Sequence, residues 1–114
     1  RLGLRSSVSL PGYVEAGKAL AAADAVAQLS VWENCSYTLL DAIAYGRGVV
    51  ASHVGGNAEL LPSQCLVQAV DHGAVAQRLV AQGRDLSARP QLEQWPTIGN
   101  MTERNARLYD RLSP

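Results

Sequence analysis

Apolar residues along the chain recur in short, compact runs separated by polar or glycine-containing segments. Residues 25–30 (AVAQLS) and 48–52 (GVVAS) are typical of strands that are covered on both faces. Residues 65–67 (CLV) and 6–10 (SSVSL) are shorter runs, and the second is closed by a Pro-Gly turn signal. The pattern therefore predicts about four strands.

The segments between these runs favour helices. Residues 14–24 are rich in alanine, and residues 38–45 have helical spacing with a stop signal at Gly46. In the second of these segments one side carries three apolar residues, namely Leu39, Ala42 and Ile43. Residues 57–61 (NAELL) predict a short helical turn started by Asn57 and stopped before a proline.

Two amphipathic helices are predicted in the second half of the chain. The first covers residues 71–83, with Asp71 as its N-cap and Gly83 as its end, and its apolar stripe contains Val75, Ala76, Leu79 and Val80. The second covers residues 101–112, and its apolar side contains Met101, Leu108, Tyr109 and Leu112. Residues 84–100, with two prolines, are predicted to be irregular.

Strands that alternate with helices predict right-handed βαβ units and a parallel sheet. We therefore expect an α/β fold, a truncated Rossmann-like parallel sheet of about four strands with helices on both faces. The 114 residues suffice for a single domain, which we interpret as a partial one spanning 1–114.

Composition and charge exclude several classes of protein. Ten basic residues balance ten acidic ones, which argues against binding of nucleic acid through bulk charge. No apolar run approaches the ~18 residues of a membrane span, and no secretory leader is recognisable. The two cysteines cannot form a disulfide framework and suit a reducing compartment. We expect a cytoplasmic location.

Three junctions follow predicted strands, and ligands of open parallel sheets bind beyond the carboxyl ends of the strands. They lie at residues 11–14, 30–38 and 52–56. The middle junction opens a helix, so the N–H groups near residues 36–39 lack intrahelical acceptors and can hold a phosphate. In the third junction, Gly55-Gly56 lets a ligand approach the backbone closely.

Two acids, Glu33 and Asp41, lie at the two ends of the middle junction. A carboxylate would repel a phosphate, but it accepts hydrogen bonds well from paired hydroxyl groups. A ligand with phosphates in the middle and vicinal hydroxyls at both ends fits this layout. A nucleoside-diphosphate sugar has that form.

The segment ENCSYTLLDAIAYG, residues 33–46, followed by VVAS-x-V-G-G-x-x-E-L, resembles the donor-site signature of a large glycosyltransferase family. These are the retaining nucleotide-sugar glycosyltransferases of group 1 (family 4), built from two facing Rossmann-like domains, and they include sucrose synthases and bacterial glycogen synthases. Their pattern has a Glu, seven intervening residues, a second Glu, an Ala and a helix ending in Gly. The resemblance covers roughly residues 3–82, and the last predicted helix is similar to the last helix of the family.

The resemblance implies a role for each matching residue. Glu33 would be the catalytic-site carboxylate that contacts donor-sugar hydroxyls, and Asp41 would bind the ribose. The amides of Ser36, Tyr37 and Thr38 would take the diphosphate, and the backbone near Tyr13 and Val14 would meet the base. Two positions depart from the family, since Asp41 replaces a longer Glu and Gly48 stands where the family usually has Pro.

The resemblance also implies the partners of the chain. The donor would be a UDP-, GDP- or ADP-hexose, with no metal and no further cofactor, and the acceptor would be a glycan, a lipid or another molecule. The family's N-terminal acceptor domain, and an Arg and a Lys for the phosphates, would precede the present residues. We therefore expect this chain alone to be inactive, and any peripheral contact with a membrane to come only through the parent protein.

A second interpretation is a catalytically inactive nucleotide-binding or assembly module with the same fold. A truncated sheet leaves an open edge, and such edges pair readily, so a homo-oligomer is expected in either case.

Several residues also have a plain structural interpretation. Thr38-x-x-Asp41 matches a capping box, and Trp32 and Trp95 are expected to be packing residues. The spacing of Cys35, His53, Cys65 and His72 matches no zinc motif, and His53 can line the strand-end crevice or be a plain loop residue.

Overall fold

A computed structural model of the chain describes residues 3–92 and 97–112, and shows an α/β fold with a small open parallel sheet. It is a truncated Rossmann-like arrangement with three strands in the order β1-β2-β3. The elements are α1 (Ala16–Ala22), β1 (Ala25–Gln28), α2 (Tyr37–Ala44), β2 (Gly48–Ser52), α3 (Asn57–Leu60), β3 (Leu66–Val67), α4 (His72–Arg84) and α5 (Ile98–Leu112). Short 3-10 turns occur at Leu4–Ser6, Ser63–Cys65 and Leu86–Ala88.

The central strand β2 is buried along its whole length, as its apolar sequence predicts. It pairs in parallel with β1, Ala25 opposite Gly48, and with β3, Leu66 opposite Ala51. Its neighbours protect its two edges, while helices cover its faces. By contrast, β1 is only partly buried and its outer edge has no partner strand among the described residues.

Side chains of β2 alternate between two helical layers. Val49 and Ala51 join the core cluster with Leu39, Ala42 and Ile43 of α2, the three residues whose helical spacing predicted an inward face. On the other face, a Cβ added to Gly48 would clash with the backbone of Gln82 in α4, which shows how closely that helix approaches. Helices therefore lie on both faces, as expected.

A buried glutamine completes the hydrogen bonding of β2. The N–H of Val49 points toward β3, but β3 begins only opposite Ala51, so no strand is there to accept from it. Gln82, which is almost fully buried, accepts from the Val49 N–H at 3.1 Å and donates to the carbonyl of Ala88 at 2.6 Å. The side chain thus replaces a missing stretch of strand and ties α4 to the sheet.

Two of the predicted helix ends are confirmed. Gly46 adopts φ +67° directly after α2, the left-handed conformation that a glycine stop supplies. The Asp71 side chain caps α4 by accepting from the Ala74 N–H at 2.9 Å, although the helix continues to Arg84.

Of two local expectations about helix starts, the first is wrong and the second is confirmed. The N-cap of α2 is Ser36, whose hydroxyl accepts from the Leu39 N–H, so Thr38 and Asp41 do not form a capping box. Asn57 is the first residue of α3, as predicted, but its buried side chain donates to the Ser52 carbonyl and leaves the N-cap position to Gly56.

Other corrections concern residues near the surface. Residues 6–10 form no strand, and Leu10 is 92% exposed. Trp32 is 73% exposed and does not pack in the core, while Trp95 lies outside the described residues. On α4, Val75 and Leu79 are partly buried, but Val80 is exposed.

The last helix, α5, begins at Ile98, three residues earlier than predicted. It is amphipathic, and all of its described residues are exposed. Among the described residues, no helix is both long and apolar enough to cross a membrane.

Candidate functional site

The carboxyl end of β1 carries a chain of side-chain hydrogen bonds. Gln28, the last residue of the strand, donates from Nε2 to Oε2 of Glu33 at 2.5 Å. Its Oε1 accepts from the hydroxyl of Ser36, also at 2.5 Å. Ser36 in turn accepts from the Leu39 N–H at 3.2 Å. The fold thereby joins Glu33, the candidate catalytic carboxylate, to the first residues of α2.

The first turn of α2 presents two free backbone donors. The N–H groups of Leu39 and Leu40 bond to Ser36, through its hydroxyl and its carbonyl respectively. Those of Tyr37 and Thr38 have no acceptor within the described ranges, and both residues are exposed. Because the positive end of the helix dipole lies here, these two N–H groups form a suitable seat for an anion.

The glycine pair at the end of β2 supports this loop from behind. A Cβ added to Gly55 would lie 1.8 Å from the Glu33 carbonyl oxygen, and one on Gly56 would lie 1.9 Å from that of Asn34. The Gly56 N–H also donates to the Glu33 carbonyl at 2.9 Å. The loop of Glu33 and Asn34 therefore occupies the space that a Cβ would take at each glycine. The sequence predicted that a ligand could approach the backbone at this point.

A second contact holds the start of the same loop. The hydroxyl of Ser52, the buried last residue of β2, donates to the Ser30 carbonyl at 2.5 Å. The loop between β1 and α2 is thus fixed at both ends by residues that follow or end the central strand.

Asp41 lines a cleft beside α2. It lies one turn after Thr38, and both residues line an open cleft of about 360 Å³ between α1, β1 and α2. The rest of the lining is apolar and consists of Ala16, Ala19, Leu20, Ala23, Ala25 and Val26. Glu33 is not part of this lining.

Tyr13 and Val14 lie in the segment before α1. Tyr13 is 97% exposed, and neither residue makes a hydrogen bond to another candidate residue in the part of the chain that the structure describes. Of the predicted set, the fold brings Glu33, Ser36, Gly55 and Gly56 together. Thr38 and Asp41 share the cleft.

The sequence reading missed Gln28 as part of the site. Its only local signal is a polar residue at the end of an apolar strand.

The two cysteines and His53 differ in their exposure. Cys35 and His53 are exposed, while Cys65 is buried in the core. Burial raises the pKa of the Cys65 thiol to about 11. The described residues contain no group of three or more His, Cys, Asp or Glu side chains suited to a metal ion.

A comparison with known protein families identifies the family of the chain. The family model of the glycosyl transferases group 1 matches residues 1–85, which is most of the chain. The chain therefore belongs to this family, and its fold is that of a domain of a glycosyltransferase of the two-Rossmann-domain type. No curated protein and no solved structure matches the chain.

Proposed function

We propose that the chain is the C-terminal, donor-binding part of a retaining family 4 glycosyltransferase, and that the first turn of α2 holds the diphosphate of a nucleotide sugar. One observation carries the proposal: among the described residues the N–H groups of Tyr37 and Thr38 have no acceptor at the start of α2, and the loop that leads to them holds Glu33, whose carboxylate accepts a hydrogen bond from Gln28. Membership of the glycosyl transferases group 1 family supports a role in glycosyl transfer.

The proposed roles follow from the positions on α2. The diphosphate accepts hydrogen bonds from the N–H groups of Tyr37 and Thr38. Asp41 lies four residues after Tyr37, about 6 Å further along the helix axis, and accepts from the ribose hydroxyls. Glu33 accepts from hydroxyls of the hexose. In this arrangement the Tyr13 and Val14 backbone meets the base, and Gly55 and Gly56 act by holding the Glu33 loop.

In the proposed reaction the bond between the hexose and the β-phosphate breaks, the acceptor oxygen forms a bond to the anomeric carbon with the configuration kept, and the proton of the acceptor hydroxyl passes to the leaving diphosphate. The electron pair of the broken bond remains on the leaving diphosphate. Fixed N–H dipoles at a helix start stabilise such a charge without reorganising, which is typically the largest catalytic contribution. The start of α2 would supply this stabilisation, and the N-terminal domain of the parent protein would bind the acceptor; we propose a cytoplasmic location for the reaction.

Calorimetric titration tests the donor site. The wild-type chain should bind at least one of UDP, GDP and ADP, with an affinity in the millimolar range. Asp41→Ala should weaken that binding by about ten-fold or more, because a hydrogen bond to a charged group contributes about 1.5–3 kcal/mol. Asp110→Ala, an equivalent change at an exposed aspartate of α5, should leave it unchanged. Equal affinities in the two variants would remove Asp41 from the site.

The outer edge of β1 favours a second candidate function, an inactive assembly module. The unpaired N–H and C=O groups of residues 25–28 can add a strand from another copy. Such a module would associate into a homo-oligomer and ignore all three nucleotides. Calorimetric titration with the three nucleotides separates the two functions, since only the donor-binding form should bind one of them, whereas light scattering at increasing concentration should show association in either case.

A further inference from the structure

We propose that Gln28 is the positioning residue of this site, and that its side-chain amide holds Glu33 in the orientation needed to contact the donor sugar. The inference rests on the proposed function, because it assigns to Gln28 the placement of a carboxylate that would bind the sugar. Its geometric part, the fixing of Glu33, stands on the hydrogen bonds alone.

Both ends of the Gln28 amide are engaged. The Nε2 group donates to Oε2 of Glu33 at 2.5 Å and to the hydroxyl of Ser30 at 3.3 Å. The Oε1 atom accepts from the Ser36 hydroxyl at 2.5 Å. Gln28 therefore bridges the two flanks of the loop, with its backbone fixed in β1 and its side chain half-buried.

The direction of the hydrogen bonds determines which groups remain for a ligand. Ser36 has a single hydroxyl proton, and it goes to Gln28, while a lone pair accepts from the Leu39 N–H. The only hydrogen-bond donor of the Ser36 side chain is thus used inside the protein. Oε1 of Glu33 has no hydrogen-bond partner among the described residues, so the oxygen opposite the Gln28 contact is available to sugar hydroxyls.

Only glutamine has the chemistry that this bridge requires. It offers a donor and an acceptor on a stem long enough to reach both partners. A glutamate would put a second carboxylate against Glu33, and a leucine of similar size would leave the Ser36 hydroxyl and Oε2 of Glu33 without their partner. Asparagine keeps the amide but is one methylene shorter, so it cannot reach both flanks at once.

The binding test compares Gln28→Leu with wild type in the full chain. Calorimetry gives the dissociation constants of UDP, GDP and ADP and of UDP-glucose, GDP-mannose and ADP-glucose. For the nucleotide that binds, we expect the hexose to strengthen binding several-fold in wild type and not at all in Gln28→Leu. Glu33→Gln should have the same effect, and the double variant should lose no more than either single one. A general structural defect would weaken bare nucleotide and nucleotide sugar alike and leave their ratio unchanged.

The second arm needs no ligand. In wild type, the three-bond Hα–Hβ couplings of Glu33 measured by NMR should report one fixed χ1 rotamer. They should average in Gln28→Leu and stay fixed in the control Gln77→Leu, an equivalent change at an exposed glutamine of α4. If Gln28→Leu does not fold, Gln28→Asn is used and should give the same averaging.

Each outcome decides one of the two claims. A sugar-to-nucleotide affinity ratio that Gln28→Leu leaves at its wild-type value overturns the positioning role, and so do Glu33 couplings that stay fixed in that variant. If wild type binds none of the six nucleotides, the donor-binding function is wrong. The Glu33 couplings then decide alone whether Gln28 fixes the carboxylate.

Discussion

Gly56→Ala should destabilise the protein strongly, because the added methyl group has no room beside the loop of Glu33 and Asn34. Gly56 has φ −73° and ψ −6°, a conformation that any residue adopts, so the substitution carries no backbone strain. The added methyl would lie 1.9 Å from the Asn34 carbonyl oxygen, whereas ordinary contact begins at 3.4 Å. The loop of Glu33 and Asn34 would have to move by about 1.5 Å to make room.

The cost of this movement has two parts. Overpacking of a well-packed site typically costs about 1–3 kcal/mol, and the hydrogen bond from the Gly56 N–H to the Glu33 carbonyl adds about 0.5–1.5 kcal/mol when it is lost. We expect a loss of roughly 2–4 kcal/mol, measured by urea unfolding followed by circular dichroism at 25 °C. At about 4 °C per kcal/mol for a domain of this size, the Tm should fall by about 8–16 °C.

The matched control is Gly83→Ala in α4, where an added Cβ meets nothing closer than 4.0 Å. That variant should be as stable as wild type or more stable by up to about 1 kcal/mol, through helix propensity alone. Gly56→Ala unfolding within about 0.5 kcal/mol of wild type would refute the reasoning, because the loop would then yield without cost.

Two further predictions concern buried groups. Gln82→Ala should lower the free energy of unfolding by about 2–4 kcal/mol, because it leaves the Val49 N–H and the Ala88 carbonyl without partners. Hydrogen exchange at the Val49 amide should accelerate in this variant but not in the control Gln77→Ala, and unchanged Val49 exchange would contradict this account. Burial raises the pKa of Cys65 from 9.0 to about 11, so the folded state keeps a proton that the unfolded state loses. The stability from this group should be complete below pH 9 and fall by roughly 2–3 kcal/mol as the pH rises to 11, and urea unfolding of Cys65→Ala should lack this component of the pH dependence. At pH 8 a thiol reagent should modify the exposed Cys35 and spare Cys65 until denaturant is added, and rapid modification of both thiols in the folded chain would show that Cys65 is not buried.

The apolar pattern correctly predicted the elements whose buried residues can be recognised from the local sequence alone. Strand β2 is a continuous apolar run and is buried throughout, and the helical spacing of Leu39, Ala42 and Ile43 identified the inward face of α2. Gly46 and Asp71 were readable because helix ends use local chemistry.

The pattern failed where burial depends on distant partners. Residues 6–10 have β-type composition, but a strand needs a neighbour to pair with, and none is present beside them among the described residues. Trp32 is large and apolar, yet it lies in the loop after β1 and is 73% exposed. The polar residues Gln28 and Gln82 could not be assigned, because Gln82 bonds to a residue 33 positions away and Gln28 bonds across a folded loop.

One relation within the candidate site could not be read from the sequence. Gly55 and Gly56 were predicted to let a ligand approach the backbone, and the structure adds that the carbonyls of Glu33 and Asn34 occupy the space that a Cβ would take at these two positions. Only the folded structure can show this, since the sequence does not say which backbone will occupy the space that a missing Cβ leaves.

The most direct test of the donor site is a titration of the ¹⁵N-labelled chain with UDP, GDP and ADP, followed by amide chemical shifts. If the first turn of α2 seats the diphosphate, the amides of Tyr37 and Thr38 should shift most, with saturation in the millimolar range. Inorganic pyrophosphate should move the same two amides. Shifts confined to other parts of the chain, or no shift at all with any of the three nucleotides, would contradict the account.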